Sequence, residues 1–202
     1  MLEGDMITVV KSTRFLIVLC MIASLVSFSA SCFSDDADES SGKTYAIGDI
    51  GPSGVGIVFY ITDGGLHGLE AAPSDQSMSS TWSTIINVLA NGSSPLPTGI
   101  GTGSANTDAI IAQNSGAASA AKICRDYTGG GKTDWFLPSR DELNELYRQR
   151  VIVGDFWNSG YWSSSEWDKD YAWTQDFNSA GVGDQDGYTK DSTPRVRAIR
   201  AF

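Results

Sequence analysis

The stretch Asp134-Trp135-Phe136-Leu137-Pro138-Ser139-Arg140-Asp141-Glu142-Leu143 decides the fold. Trp135, Phe136 and Leu137 form a short apolar run without a charge. Pro138 ends any strand there because it has no N–H to donate. Ser139 and Glu142 stand at capping-box spacing, in which each side chain satisfies an orphan backbone donor at the start of a helix. Leu143, Leu146 and Tyr147 then recur at helical spacing, which predicts an amphipathic helix over residues 140–150. A buried aromatic cluster and a helix start are therefore fixed within ten residues.

Working outward, residues 117–127 read as a second helix, stopped by Gly129-Gly130-Gly131. A shorter helix is predicted over residues 107–113. The glycine run before Lys132-Thr133 is not a phosphate loop: the spacing fails and no helix begins at Lys132. On the amino side, residues 55–61 are β-branched and aromatic, hence a strand. Asp63-Gly64-Gly65 is a turn signal, and residues 69–72 return as the second arm of a hairpin. Residues 74–106 form a long excursion anchored by Trp82, Ile85, Ile86, Val88 and Leu89. On the carboxyl side, strands are predicted over 161–165, 172–177 and 195–202, with loops at 178–181 and 183–187. Trp135, Trp162 and Trp173 lie in strand-like runs and are assigned to the core. The fold class is α+β, with a long, loop-rich C-terminal half.

The first 31 residues read as a targeting segment. Lys11 and Arg14 precede an apolar run from Phe15 that is too short and interrupted for a membrane span, and small residues follow. Translation from Met6 would leave only basic charge ahead of the run. Ser29-Ala30-Ser31-Cys32 resembles a relaxed lipobox, which makes Cys32 the acylated first residue of a lipoprotein; ordinary cleavage nearby is the plain alternative. The acidic run Ser34-Asp35-Asp36-Ala37-Asp38-Glu39 suits a tether over 32–43, because it cannot bury enough surface to fold. Residues 44–202 are then a single domain. Its one remaining cysteine, Cys124, sits at helical spacing with Ala120 and Ile123 and reads as a small core residue.

The chain carries a net charge of −10. That argues against nucleic acid and other polyanions as partners, because these need clustered Lys and Arg. Arg195, Arg197 and Arg200 do cluster, either as a local anion site or in internal ion pairs.

The motifs "DWFLPSRDELNELY", "YWSSSE", "AWTQDFNSAG" and the terminal "RVRAIRAF" resemble the C-terminal domain family of the Lcl collagen-like bacterial adhesin. The upstream "YAIGDIGPSGVGIVFY", "EAAPSD" and "IGTGSANT" are similar to the same family, so the likeness runs in order over about residues 44–202. It implies a C-type lectin-like fold, with two helices flanking a twisted antiparallel sheet and the terminal strands paired. It also implies an exported adhesion module at the cell surface or outer membrane, with a trimer as one oligomeric state. The family's binding of sulfated polysaccharide uses a basic surface. This chain is acidic and lacks the collagen-like repeat, so that ligand is not carried over. The Glu-Pro-Asn and Trp-Asn-Asp motifs of calcium-dependent sugar binding are absent.

The functional expectation is a surface module binding a glycan or an extracellular protein, touching the membrane through its lipid anchor alone. Its candidate ligand residues are Trp157, Glu166, Trp167, Asp168, Tyr171, Gln185, Tyr188 and Lys190, in a segment where aromatic faces crowd with amides and carboxylates. Trp167 and Tyr188, within polar stretches, are the best ligand-facing aromatics. No cofactor is expected; the one candidate is calcium held by Asp184 and Asp186, with Asp191 or Asp168. A diversified display surface is a further alternative. An enzyme is the weakest reading: His67 is the only histidine, in a glycine turn, and Glu166 with Asp168 is one candidate carboxylate pair.

Overall fold

The computed structural model describes residues 42–114, 117–178 and 182–202. The targeting segment, Cys32 and the tether up to residue 41 lie outside the described residues. The domain is mixed α+β, with two three-stranded antiparallel sheets and four helices among the described residues.

The first sheet contains β1 (Ile57–Thr62), β2 (His67–Ala71) and β6 (Ile199–Ala201), in the order β1-β2-β6. The predicted hairpin forms at the Asp63–Gly65 turn, where Gly64 and Gly65 have φ of 67° and 93°. The chain's end pairs with β2, so Leu69 faces Ala201 and Ala71 faces Ile199. The second sheet contains β3 (Gly160–Glu166), β4 (Tyr171–Asp176) and β5 (Gln185–Thr189), in that order. Residues 183–187, expected as a loop, contribute most of β5. Gly187 and the acidic residues mask its strand character in the sequence. It is an edge strand, where packing asks little of the side chains.

The helices are α1 (Gly103–Gln113), α2 (Ala120–Asp126), α3 (Arg140–Arg148) and α4 (Arg150–Val153). The capping box forms as read: Ser139 Oγ accepts from the Glu142 N–H, and the Glu142 carboxylate accepts from the Ser139 N–H at 2.7 Å. Glu142 is fully buried and also accepts from the Gly101 N–H at 2.7 Å. The box therefore closes α3 and also ties down the approach to α1. Burial raises the Glu142 carboxyl above its usual range, although these N–H donors pull the other way.

Trp135-Phe136-Leu137 serves two cores at once. Trp135 and Leu137 pack with Trp82, Ile110, Cys124 and Trp162. Phe136 packs with Phe59, Leu69, Leu143, Tyr161 and Phe177. The run is extended, so successive side chains point to opposite faces. Phe136 also exchanges both backbone hydrogen bonds with Ile199, at 2.8 and 3.0 Å. The corner is thus stitched to the closing strand. Pro138 makes no donation, yet its carbonyl accepts from the Ser164 N–H at 2.7 Å. Cys124 is buried and free, and burial holds its thiol well above its ordinary range.

The long excursion is pinned from below. Ser163, Ser164 and Ser165 are all buried at an irregularity in the β3–β4 register. Ser165 Oγ donates to the Pro97 carbonyl at 2.7 Å, and Ser163 Oγ donates to that of Trp173 at 2.9 Å.

Candidate functional site

The second sheet and its β3–β4 turn build the site. Beyond Glu166 the chain turns back at Asp168, whose Oδ1 accepts from the N–H groups of Asp170 and Tyr171 at 2.7 and 2.9 Å. An aspartate side chain folding its own backbone in this way holds a tight turn. Trp167 projects beside the turn and is 48% exposed. Its indole stacks on Trp173, with ring centroids 4.5 Å apart and planes 13° from parallel. The Arg140 guanidinium lies 5.0 Å from the Trp173 ring, at the start of α3.

Gly187 fixes where Trp167 sits. It pairs with Trp173 across β4–β5. A Cβ on Gly187 would stand 2.3 Å from Trp167 Cε3. The indole therefore fills the space that any other residue's side chain would need. Glycine within a strand commonly marks such a close approach. The outcome is a large exposed aromatic held against two strands. Beside it lies a cleft of about 300 Å³ lined by Trp167, Asp168, Tyr171, Asp186 and Gly187.

The predicted ligand residues divide four ways. Trp167, Asp168 and Tyr171 meet at this cleft, and Asp186, expected as a calcium ligand, joins them. Trp157 and Tyr188 are exposed elsewhere: Arg195 stands 4.8 Å from the Trp157 ring, and Tyr188 borders a separate depression with Ser159, Gly160 and Pro194. Gln185 is half-buried and donates to the Arg140 carbonyl at 2.9 Å, so it holds the start of α3.

Glu166 and Lys190, expected to face a ligand, are buried instead. Neither side chain reaches solvent, and they form a buried ion pair at 2.6 Å. Glu166 also accepts from the N–H groups of Ala90 and Leu96 at 2.9 and 3.1 Å, and Lys190 Nζ donates to the Val88 carbonyl at 3.0 Å. The pair clamps the excursion to the sheet, and the Lys190 ammonium lies 4.8 Å from the Trp82 ring. Ser163-Ser164-Ser165 before Glu166, and Thr189 and Asp191 around Lys190, are polar, which disguises the burial.

Trp173 departs in the opposite direction. Expected in the core, it is only partly buried and supports Trp167. Gly187, expected in a loop, lies within β5 and seats the Trp167 indole.

Asp184 is exposed just ahead of β5, and Asp191 follows its end. Among the described residues no three His, Cys, Asp or Glu side chains gather closely enough to hold a metal ion. His67 is exposed where β2 opens, paired with Thr62.

The arginine cluster forms internal ion pairs. Arg195 and Arg197 both bond Asp75, at 3.1 and 2.8 Å. Arg200 spans Asp134 at 2.6 Å and the fully buried Glu70 at 2.9 Å. The Arg200 guanidinium, by bonding Asp134, holds that carboxyl below its usual range. Asp75 also accepts from the Tyr161 hydroxyl at 3.0 Å, and burial pushes that phenol well above its ordinary range.

A scan against protein-family models and a search of curated proteins match nothing to this chain.

Proposed function

We propose that this chain is an exported, lipid-anchored binding module with a C-type lectin-like fold, which takes a glycan or an extracellular protein at the cleft beside Trp167. The observation that carries the reading is the indole of Trp167, about half exposed yet held by Trp173 and Gly187. Exposing an aromatic of this size forfeits apolar burial worth about 1–2 kcal/mol. A rigid, exposed indole beside polar groups is the usual anchor for a sugar ring or a partner's side chain. The lectin-like reading is supported by the closing strand β6 lying in the first sheet, where it pairs with β2 and not, as expected, with the first strand β1, and by the helices α1 and α3 and a second sheet that carries the site. The anchor at Cys32 rests on the basic start, the apolar run and the acidic tether in the sequence.

The test is a glycan and matrix-protein array probed with the wild type, Trp167→Ala and Tyr171→Ala. Both substitutions are expected to remove the wild-type signal while leaving the thermal midpoint within about 2 °C, as for exposed residues. A wild-type signal that survives both substitutions moves the ligand away from this cleft. The array is run with calcium and with chelator, and the signal is expected to be the same in both. Palmitate labelling of the cell-expressed protein, lost in Cys32→Ala, tests the anchor.

A further inference from the structure

We propose that the cleft beside Trp167 takes a sugar residue bearing a free amine, with its ring face against the indole and its ammonium beside Asp168 and Asp186. The proposal rests on the binding-module reading above and names the chemistry of its ligand.

The lining consists of two aromatics, two aspartates and a glycine. It holds no basic side chain; of the nearby cations, Lys169 pairs with Asp170 at 2.5 Å and is also within electrostatic reach of Asp168, and Arg140 pairs with Asp141 at 2.9 Å. Asp168 spends one carboxylate oxygen, Oδ1, on both turn N–H groups, which leaves Oδ2 for a ligand. Asp186 is exposed on the edge strand; its Oδ1 accepts from the Gly187 N–H at 2.7 Å, which leaves Oδ2 for a ligand.

Two formal negative charges therefore border an aromatic cleft on a chain with a net charge of −10. That field repels uronic, sialic and sulfated sugars and attracts an ammonium. A charge-assisted bond to a carboxylate is about twice as strong as a neutral one. The aromatic rings add to it, since their faces are negative and attract a cation.

The geometry of Trp167 argues for a ring as the carrier of that charge. The indole stacks on Trp173 and is backed by Gly187, so the 48% of Trp167 that stays exposed is held fixed. The apolar C–H face of a pyranose matches such a surface, whereas a flexible alkyl amine covers little of it and loses more rotamer freedom on binding.

The experiment is a tryptophan-fluorescence titration of the full chain with three probes: a glucosamine oligosaccharide, its N-acetylated counterpart of equal length, and oligolysine. The amine sugar is expected to bind at least about tenfold more tightly than the N-acetylated one. That preference should shrink in Asp168→Asn and Asp186→Asn and with added salt. Asp168→Asn keeps the oxygen that caps the turn, so loss of fold does not confuse the result. Trp167→Ala should abolish binding of both sugars.

Equal affinity for the two sugars overturns the amine assignment and leaves the binding-module reading standing. Oligolysine binding as tight as the amine sugar overturns the ring as carrier. Binding of none of the three probes, with a Trp167-dependent ligand still on the array, overturns the amine proposal alone. No Trp167-dependent ligand on the array at all overturns both readings.

Discussion

Glu166→Ala is the perturbation whose consequence can be worked furthest. The carboxylate is buried, pairs with Lys190 at 2.6 Å, and accepts from the backbone of Ala90 and Leu96. Truncation leaves the buried Lys190 ammonium with the Val88 carbonyl alone as its hydrogen-bond acceptor. Breaking a buried pair from one side costs about 3–5 kcal/mol. The two orphaned N–H groups push towards the upper end, at about 1–3 kcal/mol each if they stay dry. Water entering the space vacated by the carboxylate offsets part of this. An expected loss of about 4 kcal/mol is a large share of the 5–15 kcal/mol typical of a folded domain.

The assay is urea unfolding followed by tryptophan fluorescence. With a slope of about 2 kcal/mol per molar, the midpoint should fall by about 2 M. Hydrogen exchange at Ala90 and Leu96 should accelerate more than at β1, because the excursion is released first. The double variant Glu166→Gln with Lys190→Met removes both charges together and should recover at least half of the loss, since neutral replacement of a buried pair is often close to neutral. A midpoint shift below about 0.5 M in Glu166→Ala would refute the reasoning, because it would mean that water already reaches the pair.

Asp75→Ala strands two guanidinium groups, one of them on the buried Arg197, and should cost about 3–5 kcal/mol in the same assay. Ser139→Ala removes the helix cap and the bond from Ser139 Oγ to the Gly99 carbonyl, so the thermal midpoint should drop by about 5 °C. Gly187→Ala places a methyl where the Trp167 ring lies; the indole should swing out, its emission should shift to the red and array binding should fall, while unchanged emission and binding would count against Gly187 as the residue that seats the indole. Asp134→Asn probes pH dependence. The Arg200 bond lowers the Asp134 carboxyl from its ordinary 3.8, so its contribution is present above that value and fades as the pH falls through the depressed one. The pair is largely solvent-exposed at Asp134, which limits the effect to about 0.5 kcal/mol. Wild type and variant should therefore differ slightly in thermal midpoint at pH 7, and the difference should shrink as the pH is taken progressively below 3.8, a trend read by calorimetry across that range.

The local rules of the chain were legible in the sequence by itself. The Ser139–Glu142 capping box, the Asp63–Gly65 turn and the hairpin over β1 and β2 all follow from interactions within a few residues, and the helical spacing of Cys124 with Ala120 marks its inward face. Such interactions are written in adjacent letters. Tertiary structure alone decided the two cores that share Trp135-Phe136-Leu137, and the pairing of β2 with β6 across most of the domain. It also reversed the roles of three residues in the candidate site. Glu166 and Lys190 look like surface charges beside an exposed tryptophan, yet each is buried because the other, 24 positions away, neutralises it. Trp173 looks like core, yet it props up Trp167 because Gly187, on the neighbouring strand, leaves room for an indole. Burial of a charge and exposure of a ring depend on what the rest of the chain brings alongside, and one-dimensional spacing carries no record of that.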